Sequence, residues 1–106
     1  MSISERYRSL VEAVQKIQES LEADPPQGSR RPVTLAGKAV KGLDEFKESV
    51  GEIPRIRLED KLSPVLLRAH ADLDRCRMLL DEVGDEDRAG RVWDLEQDIY
   101  RLLNSL

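Results

Sequence analysis

The sequence predicts an all-α protein, an antiparallel four-helix bundle. Apolar residues recur at spacings of three and four through four segments, as they do on the buried face of an amphipathic helix. Proline-rich or glycine-containing turns separate these segments. The segments are roughly 16 to 21 residues long, which suits a helical bundle. We therefore expect helices at about 3–23, 35–50, 64–83 and 86–105.

The size and composition favour one domain inside the cell. A chain of 106 residues has room for one hydrophobic core, so we expect a single helical-bundle domain over residues 1–106. Charged residues make up 36% and hydrophobic residues 40%, too apolar for a disordered chain and too interrupted for a membrane one. No basic and then apolar signal pattern opens the sequence, and no apolar stretch approaches the ~18 residues of a spanning helix. We expect a soluble protein in the cytoplasm or another intracellular compartment.

The first helix has the clearest pattern. Ser2 and Glu5 form a capping box at its start. A narrow apolar seam of the coiled-coil type follows, at Ile3, Tyr7, Leu10, Val14, Ile17 and Leu21. The linker at 24–33 contains three prolines and a glycine, and it could extend to ~33 Å. It therefore permits either a hairpin or a crossover, and the seam could instead meet a second chain and form a core shared in a dimer.

The second helix is expected to begin after Thr34 as its cap and to end near Gly51. Its apolar seam lies at Ala36, Ala39, Leu43, Phe46 and Val50. Beyond it, Pro54 disfavours a helix, and apolar and basic residues alternate. We expect an extended strap at 52–62 across the bundle, although 58–62 could form a helical turn.

The third and fourth helices are expected to form a hairpin. Ser63 and Pro64 suit the cap and first position of the third helix. Its seam is Leu66, Ala69, Leu73, Cys76, Leu80 and Val83. Gly84 ends this helix and Asp85 caps the next, and so short a turn makes the two helices antiparallel.

His70 and Cys76 are the only histidine and the only cysteine. They lie about 120° apart on a helix, so they form neither a catalytic dyad nor a metal pair. Cys76 falls in the seam, where a free cysteine is a small buried hydrophobe. His70 falls on the flank and invites comparison with histidine phosphotransfer domains, which resemble this chain in size and predicted fold. Their phosphoacceptor is typically followed by lysine and glycine, where this chain has Leu73 and Asp74.

A second chemical alternative is a magnesium site. Glu45 and Glu48 lie three residues apart, and Asp94 and Asp98 lie four apart. All-helical nucleotide pyrophosphohydrolases use acidic pairs of this kind to hold magnesium. The same spacings are common on solvated helix faces, so the preferred interpretation has no cofactor.

The charge distribution gives little reason to expect a nucleic acid or a membrane as partner. The 21 acidic and 17 basic residues leave a net charge of −4. The basic features are two arginine pairs, Arg30 with Arg31 and Arg55 with Arg57. If their segments lie at the same end of the bundle, these four residues could contact an anion or an acidic partner.

The fourth helix has a second apolar stripe beside its main seam of Val92, Leu95, Ile99, Leu102 and Leu106. The second stripe is Ala89, Trp93, Tyr100 and Leu103, and the two together cover about 180° of the helix surface. Glu96 projects between them. The helix is either central and packed on two sides, or a docking surface, or the carrier of a catalytic acid.

We favour a non-enzymatic interaction module, such as an adaptor, assembly factor or regulatory subunit. It would dock a protein partner on the fourth helix or self-associate as a homodimer. Trp93 and Tyr100 would be the anchors, Leu103 would belong to the same interface, and Glu96 would fix register or partner choice. Leu67 and Met78 lie away from the seam of the third helix and would extend this surface. The alternatives are the magnesium-dependent nucleotide hydrolase and a phosphotransfer bundle that uses His70.

Overall fold

Four α-helices and two short 3₁₀ turns make up the structure, a computed structural model that describes residues 1–106 with every side chain except that of Gln27. The α-helices are α1 (Ile3–Ala23), α2 (Arg31–Asp44), α3 (Arg55–Glu82) and α4 (Glu86–Ser105). The 3₁₀ turns are Pro26–Gly28 and Val50–Glu52. The predicted all-α bundle is confirmed, and none of the helices described is long and apolar enough to cross a membrane.

The start of α1 follows the predicted capping box. The Ser2 hydroxyl accepts from the Glu5 backbone N–H at 3.2 Å, and the Glu5 carboxylate accepts from the Ser2 backbone N–H at 3.2 Å. These two bonds satisfy donors that the first helical turn would otherwise leave free. The predicted seam is then buried from Tyr7 to Leu21, with Ile3 packed partly against it.

The helix α2 begins and ends earlier than predicted. It starts at Arg31, with Pro32 in its first turn. Backbone N–H groups in the first turn make no hydrogen bond within the helix, so proline, which lacks this group, costs nothing there. Thr34 is not a cap, because its hydroxyl bonds back to the Arg30 carbonyl at 3.1 Å within the helix. The helix ends at Asp44, and a turn leads into the 3₁₀ segment that buries Val50.

The predicted strap at 52–62 is wrong. Residues 55–62 are the first two turns of α3, and Pro54 is the extended residue that precedes them. Leu58 and Leu62 are buried four residues apart and continue the seam to Leu66, whereas Ile56 is 88% exposed. The alternation of apolar and basic residues was therefore coincidental, and the four-residue spacing was the informative pattern.

Pro64 lies inside α3 rather than at its start. Its ring occupies an exposed position, so the helix continues without placing it in the core. Proline nevertheless removes one backbone hydrogen bond and crowds the preceding turn.

The four helices run alternately up and down. Tyr7 at the start of α1 donates to the Leu43 carbonyl at the end of α2, and Cys76 near the end of α3 donates to the Pro32 carbonyl at the start of α2. In the same way Arg6 bonds to Ser105 across α1 and α4. The proline-rich linker therefore closes a hairpin rather than a crossover, and the bundle measures 44 × 21 × 21 Å.

The core lies within the single chain. Buried apolar side chains from all four helices form one continuous cluster, and the seam of α1 is part of it. The possibility that this seam is completed only by a second chain is not needed to account for its burial.

Replacing Pro64 by alanine is expected to stabilise the protein by about 1–3 kcal/mol. The new N–H can bond within α3, and this gain exceeds the entropy that the unfolded chain recovers. Urea unfolding followed by circular dichroism measures the change. A neutral or destabilising effect would instead indicate that the helix begins at Pro64, where proline costs nothing.

Two glycines on either side of the α4 start should respond oppositely to alanine. Gly90 lies inside α4, and a Cβ there meets no atom within 4 Å, so Gly90→Ala should stabilise by about 0.5–1 kcal/mol. Gly84 has φ 78°, so Gly84→Ala should destabilise by about 1 kcal/mol. Denaturant midpoints of the two variants provide the test, and equal shifts would contradict it.

Candidate functional site

The α3–α4 hairpin brings aromatic and charged side chains together along one groove. The chain reverses at Gly84, whose positive φ allows the turn, and the Asp85 N–H bonds to the Leu80 carbonyl at 2.9 Å. Residues at equal distances in sequence from Asp85 then face each other across the two helices. We call the resulting set the α3–α4 cluster: His70, Asp74 and Arg77 on α3, and Trp93, Glu96 and Tyr100 on α4.

Glu96 is the unusual member of the cluster because its side chain is fully buried. Neither carboxyl oxygen has a hydrogen-bond partner among the groups that the structure describes. His70 Nε2 lies 3.5 Å from Oε1 and Arg77 Nε lies 3.5 Å from Oε2, beyond the usual N–H···O range. A buried carboxylate with such weak contacts would be costly, so its protonation state matters.

The surroundings of Glu96 favour its neutral form. Burial raises the pKa of Glu96, and so does the neighbouring Asp74 carboxylate, which can accept a hydrogen bond from the protonated form and adds a negative charge; together they bring the pKa to about 8. Arg77 acts in the opposite direction. The hydrogen bonds that Arg77 donates to Asp74 lower the pKa of Asp74, so of the two carboxyls Glu96 is the one that keeps the proton.

Arg77 connects the cluster to the surface. Its guanidinium donates to Asp74 at 2.8 and 3.1 Å and to Asp81 at 3.0 Å. It also lies over the ring of Trp93, 5.5 Å from the centroid, within the range of a cation–π contact. Its charge is therefore largely committed to two surface carboxylates, and little is left to neutralise an ionised Glu96.

His70 closes the other side of the cluster. Its ring lies 4.5 Å from that of Tyr100 in a tilted arrangement, and its Nε2 faces Glu96. The phosphotransfer alternative therefore gains nothing from the geometry, since His70 is mostly buried and Asp74 lies one turn away.

Trp93 and Tyr100 flank Glu96 at the surface and are 49% and 47% exposed. They lie one heptad apart on the same side of α4. Beside Trp93 is an open cleft of about 410 Å³, which is lined by Arg77, Asp81, Glu86 and Gly90. This is an aromatic and acidic surface rather than an enclosed pocket.

The remaining predicted interface residues differ in position. Leu67 and Met78 are both exposed, and at ~100° per residue they project within about 40° of Asp74 around the α3 axis. They therefore border the cluster on its α3 side. Leu103 is packed partly against the core, so it supports the hairpin more than it presents a surface.

The two arginine pairs do not form one site. Because α2 and α3 are antiparallel, Arg30 and Arg31 lie at the opposite end of the bundle from Arg55 and Arg57. Arg30 is also engaged in an ion pair with Glu22 at 2.8 Å.

The acidic pairs of the magnesium alternative are exposed and do not converge. Among the residues described, no group of three or more histidine, cysteine, aspartate or glutamate side chains could hold a metal ion. Glu45 and Glu48 lie in the turn after α2, and Asp98 forms an ion pair with Arg101 at 2.7 Å.

Cys76 is fully buried in the core. Its thiol donates to the Pro32 carbonyl at 3.4 Å, and burial raises the pKa of the thiol to about 12. A thiol with such a pKa is protonated and inert as a nucleophile at neutral pH.

Sequence reasoning missed Arg88. This nearly buried side chain bonds to Asp85 at 2.7 Å and to the Ser20 carbonyl at 3.0 Å, so it ties the start of α4 to the end of α1. Its position four residues before Val92 places it on the main seam, which was the available signal. The neighbours of Glu96 on α3 were missed as well. The available signal was the distance in sequence from Asp85, which is equal for residues 74 and 96 and for residues 77 and 93.

Comparison with protein-family models, curated proteins and solved structures finds no match to this chain. The function must therefore be argued from the site itself.

Replacing Arg77 by alanine is expected to destabilise the protein by about 2–3 kcal/mol. The change removes charge-assisted hydrogen bonds to two aspartates and the contact over Trp93, and it leaves acidic groups without a cation. The matched control is Arg101→Ala on α4, which removes a highly exposed ion pair and should cost less than about 0.5 kcal/mol. Urea denaturation of both variants measures the difference, and similar losses would show that the cluster has no special coupling.

Proposed function

We propose that the chain is a protein-interaction module that docks a partner segment on the α3–α4 surface, by which we mean the exposed side chains of Leu67, Met78, Trp93 and Tyr100. The observation that carries this proposal is the pair of half-exposed aromatics, Trp93 and Tyr100, one heptad apart on either side of a buried acid. Aromatic side chains at this spacing suit the apolar face of a partner helix. Leu67 and Met78 on α3 extend the apolar contact.

The partner best suited to this surface carries basic side chains. Three carboxylates, Asp74, Asp81 and Glu86, lie around the exposed aromatics, against one guanidinium that already pairs with two of them. The surface thus has an excess of negative charge, which attracts lysine or arginine. A symmetric contact with a second copy would bring these carboxylates near their own counterparts, so we favour a basic amphipathic helix over self-association.

Binding accounts for the cluster better than catalysis does. A general acid needs a reacting group within hydrogen-bond reach, and Glu96 is covered on all sides. The surface cleft lies beside Trp93 and is lined by Asp81 and Glu86 rather than by Glu96.

We place this activity in a reducing intracellular compartment such as the cytoplasm. The single cysteine is free and buried, so the fold uses no disulfide.

The partner class can be tested with two model peptides. A basic amphipathic helix of leucine and lysine should bind, whereas a leucine and glutamate helix of the same pattern should not, because only the first complements the acidic surface. Fluorescence anisotropy of labelled peptides measures both affinities. Equal binding of the two peptides, or binding of neither, would contradict the basic-partner assignment.

Trp93→Ala is expected to weaken binding of the basic peptide by about 2 kcal/mol, or roughly 30-fold, while helix content is retained. The control is Ile56→Ala, which removes an exposed apolar side chain near the far end of α3 and should leave the affinity unchanged. Light scattering coupled to size exclusion over a concentration series tests self-association. A dimer that Trp93→Ala dissociates would identify a second copy as the occupant instead.

A further inference from the structure

We propose that one proton, shared by Glu96 and Asp74, keeps the Glu96 side chain buried in the α3–α4 cluster, which we call the closed form. Loss of this proton drives the side chain outward between Trp93 and Tyr100, which gives the open form. This inference concerns regulation of the docking surface in the proposed function. It is nevertheless a property of the isolated chain, so it can be tested without any partner.

The geometry gives a negative charge on Glu96 two nitrogens at ion-pair distance but no hydrogen bond. Its side chain is fully buried, and neither oxygen accepts a hydrogen bond from the groups described. Both nearby nitrogens, on His70 and Arg77, are 3.5 Å away. A protonated Glu96 has a good alternative, because it can donate its proton to the Asp74 carboxylate within reach.

Groups on the other sides of Glu96 do not change this balance. Opposite it, α3 supplies His70, Asp74, Arg77 and the buried thiol of Cys76. The buried residues of α1 are apolar except Tyr7, whose hydroxyl donates to the Leu43 carbonyl. On α4 itself, the charge of Arg88 is paired with Asp85 two turns earlier.

Loss of the proton therefore changes the cluster from one shared hydrogen bond to two facing carboxylates. The released proton passes to solvent, and the bond between Glu96 and Asp74 is lost. Arg77 cannot compensate fully because it already pairs with Asp74 and Asp81. The ionised side chain gains hydration by moving outward, between Trp93 and Tyr100, which are half-exposed and lie three and four residues from it on α4.

The direction of the pH effect follows from the raised pKa of Glu96. A carboxyl whose pKa is about 8 in the fold and near 4.5 when solvated stabilises the closed form fully below the lower value. This contribution is lost as the pH rises through about 8. Between these two pKa values the ratio of open to closed forms should rise by up to roughly tenfold per pH unit, and above about 8 it should level off.

Opening would also alter what the surface presents. An outward Glu96 adds a fourth carboxylate beside Asp74, Asp81 and Glu86 and parts the two aromatics. A basic partner segment should consequently bind the open form better, and its binding should release a proton.

Trp93 is the only tryptophan, so its fluorescence reports on the cluster directly. The experiment is a titration from pH 6 to about 9.5, below the ionisation of ordinary tyrosine, with acrylamide quenching at each step. The wild-type chain should show one transition near pH 8, with stronger quenching above it. Glu96→Gln, which keeps the shape but cannot ionise, should show none.

The control variant is His70→Gln, which removes the imidazole whose Nε2 lies 3.5 Å from Glu96 Oε1. It should retain the transition. A transition that persists in Glu96→Gln, or disappears only in His70→Gln, would overturn the proposal. So would a wild-type fluorescence signal that stays flat while circular dichroism shows the fold intact.

A second measurement covers the case in which Glu96→Gln fails to fold. Carbon-detected NMR of the wild-type chain follows each glutamate carboxyl carbon, and one resonance should titrate near pH 8. If every glutamate titrates near its ordinary value, the proposal is wrong. If the proton proposal fails in these experiments, the peptide-binding tests of the proposed docking function are unaffected. If the basic peptide does not bind but Trp93 shows the expected transition, the docking function is wrong and the proton proposal stands.

Discussion

The apolar seam of α3 is the interaction on which the rest of the bundle depends. This helix is the longest, and it packs against α2 on one side and α4 on the other. Its buried leucines, from Leu58 to Leu80, each contribute about 1.5–3 kcal/mol through loss of apolar surface from water. The helix α1 also contacts α2 and α4 but has few contacts with α3. The position of α3 therefore determines how α2 and α4 are held on the side of the core opposite α1.

A second constraint acts at the turn between α3 and α4. Gly84 sets the reversal, and the tie between Arg88 and the Ser20 carbonyl holds the start of α4 against α1. Together they fix the register in which α3 faces α4. That register, rather than any local feature of α4, decides that Glu96 meets Asp74 and Arg77.

The parts of the fold that the sequence predicts are those with local causes. The capping box at Ser2 and the turn at Gly84 depend on neighbouring residues only, and both are present as expected. Errors arose where a proline had two interpretations. Pro64 suited a helix start, but burial of Leu58 and Leu62 on the extended seam outweighs the cost of a proline at an exposed position inside α3.

Of the candidate site, the sequence predicted the residues of α4 but not their neighbours on α3. The projection of α4 placed Glu96 between two apolar stripes, which depends on helix geometry alone. Its neighbours on α3 depend on the pairing of two helices, and a helical projection of one segment contains no such information. His70 therefore seemed an isolated flank residue, whereas the hairpin brings it to Tyr100 and Glu96.

Glu96 lowers the stability of the hairpin compared with an apolar residue of similar size. A leucine there would join Ala89, Val92 and Ile99 in one wide apolar face, with no buried polar atom to satisfy. Such a face would also tolerate a shift of α4 along α3 by one turn, since leucine packs against many neighbours. The acid lies beside Asp74, His70 and an Arg77 guanidinium that is already paired, and no other register would give it these neighbours. The same lack of alternatives is what makes the hairpin sensitive to a single proton, because the contact that selects the register is lost when that proton leaves.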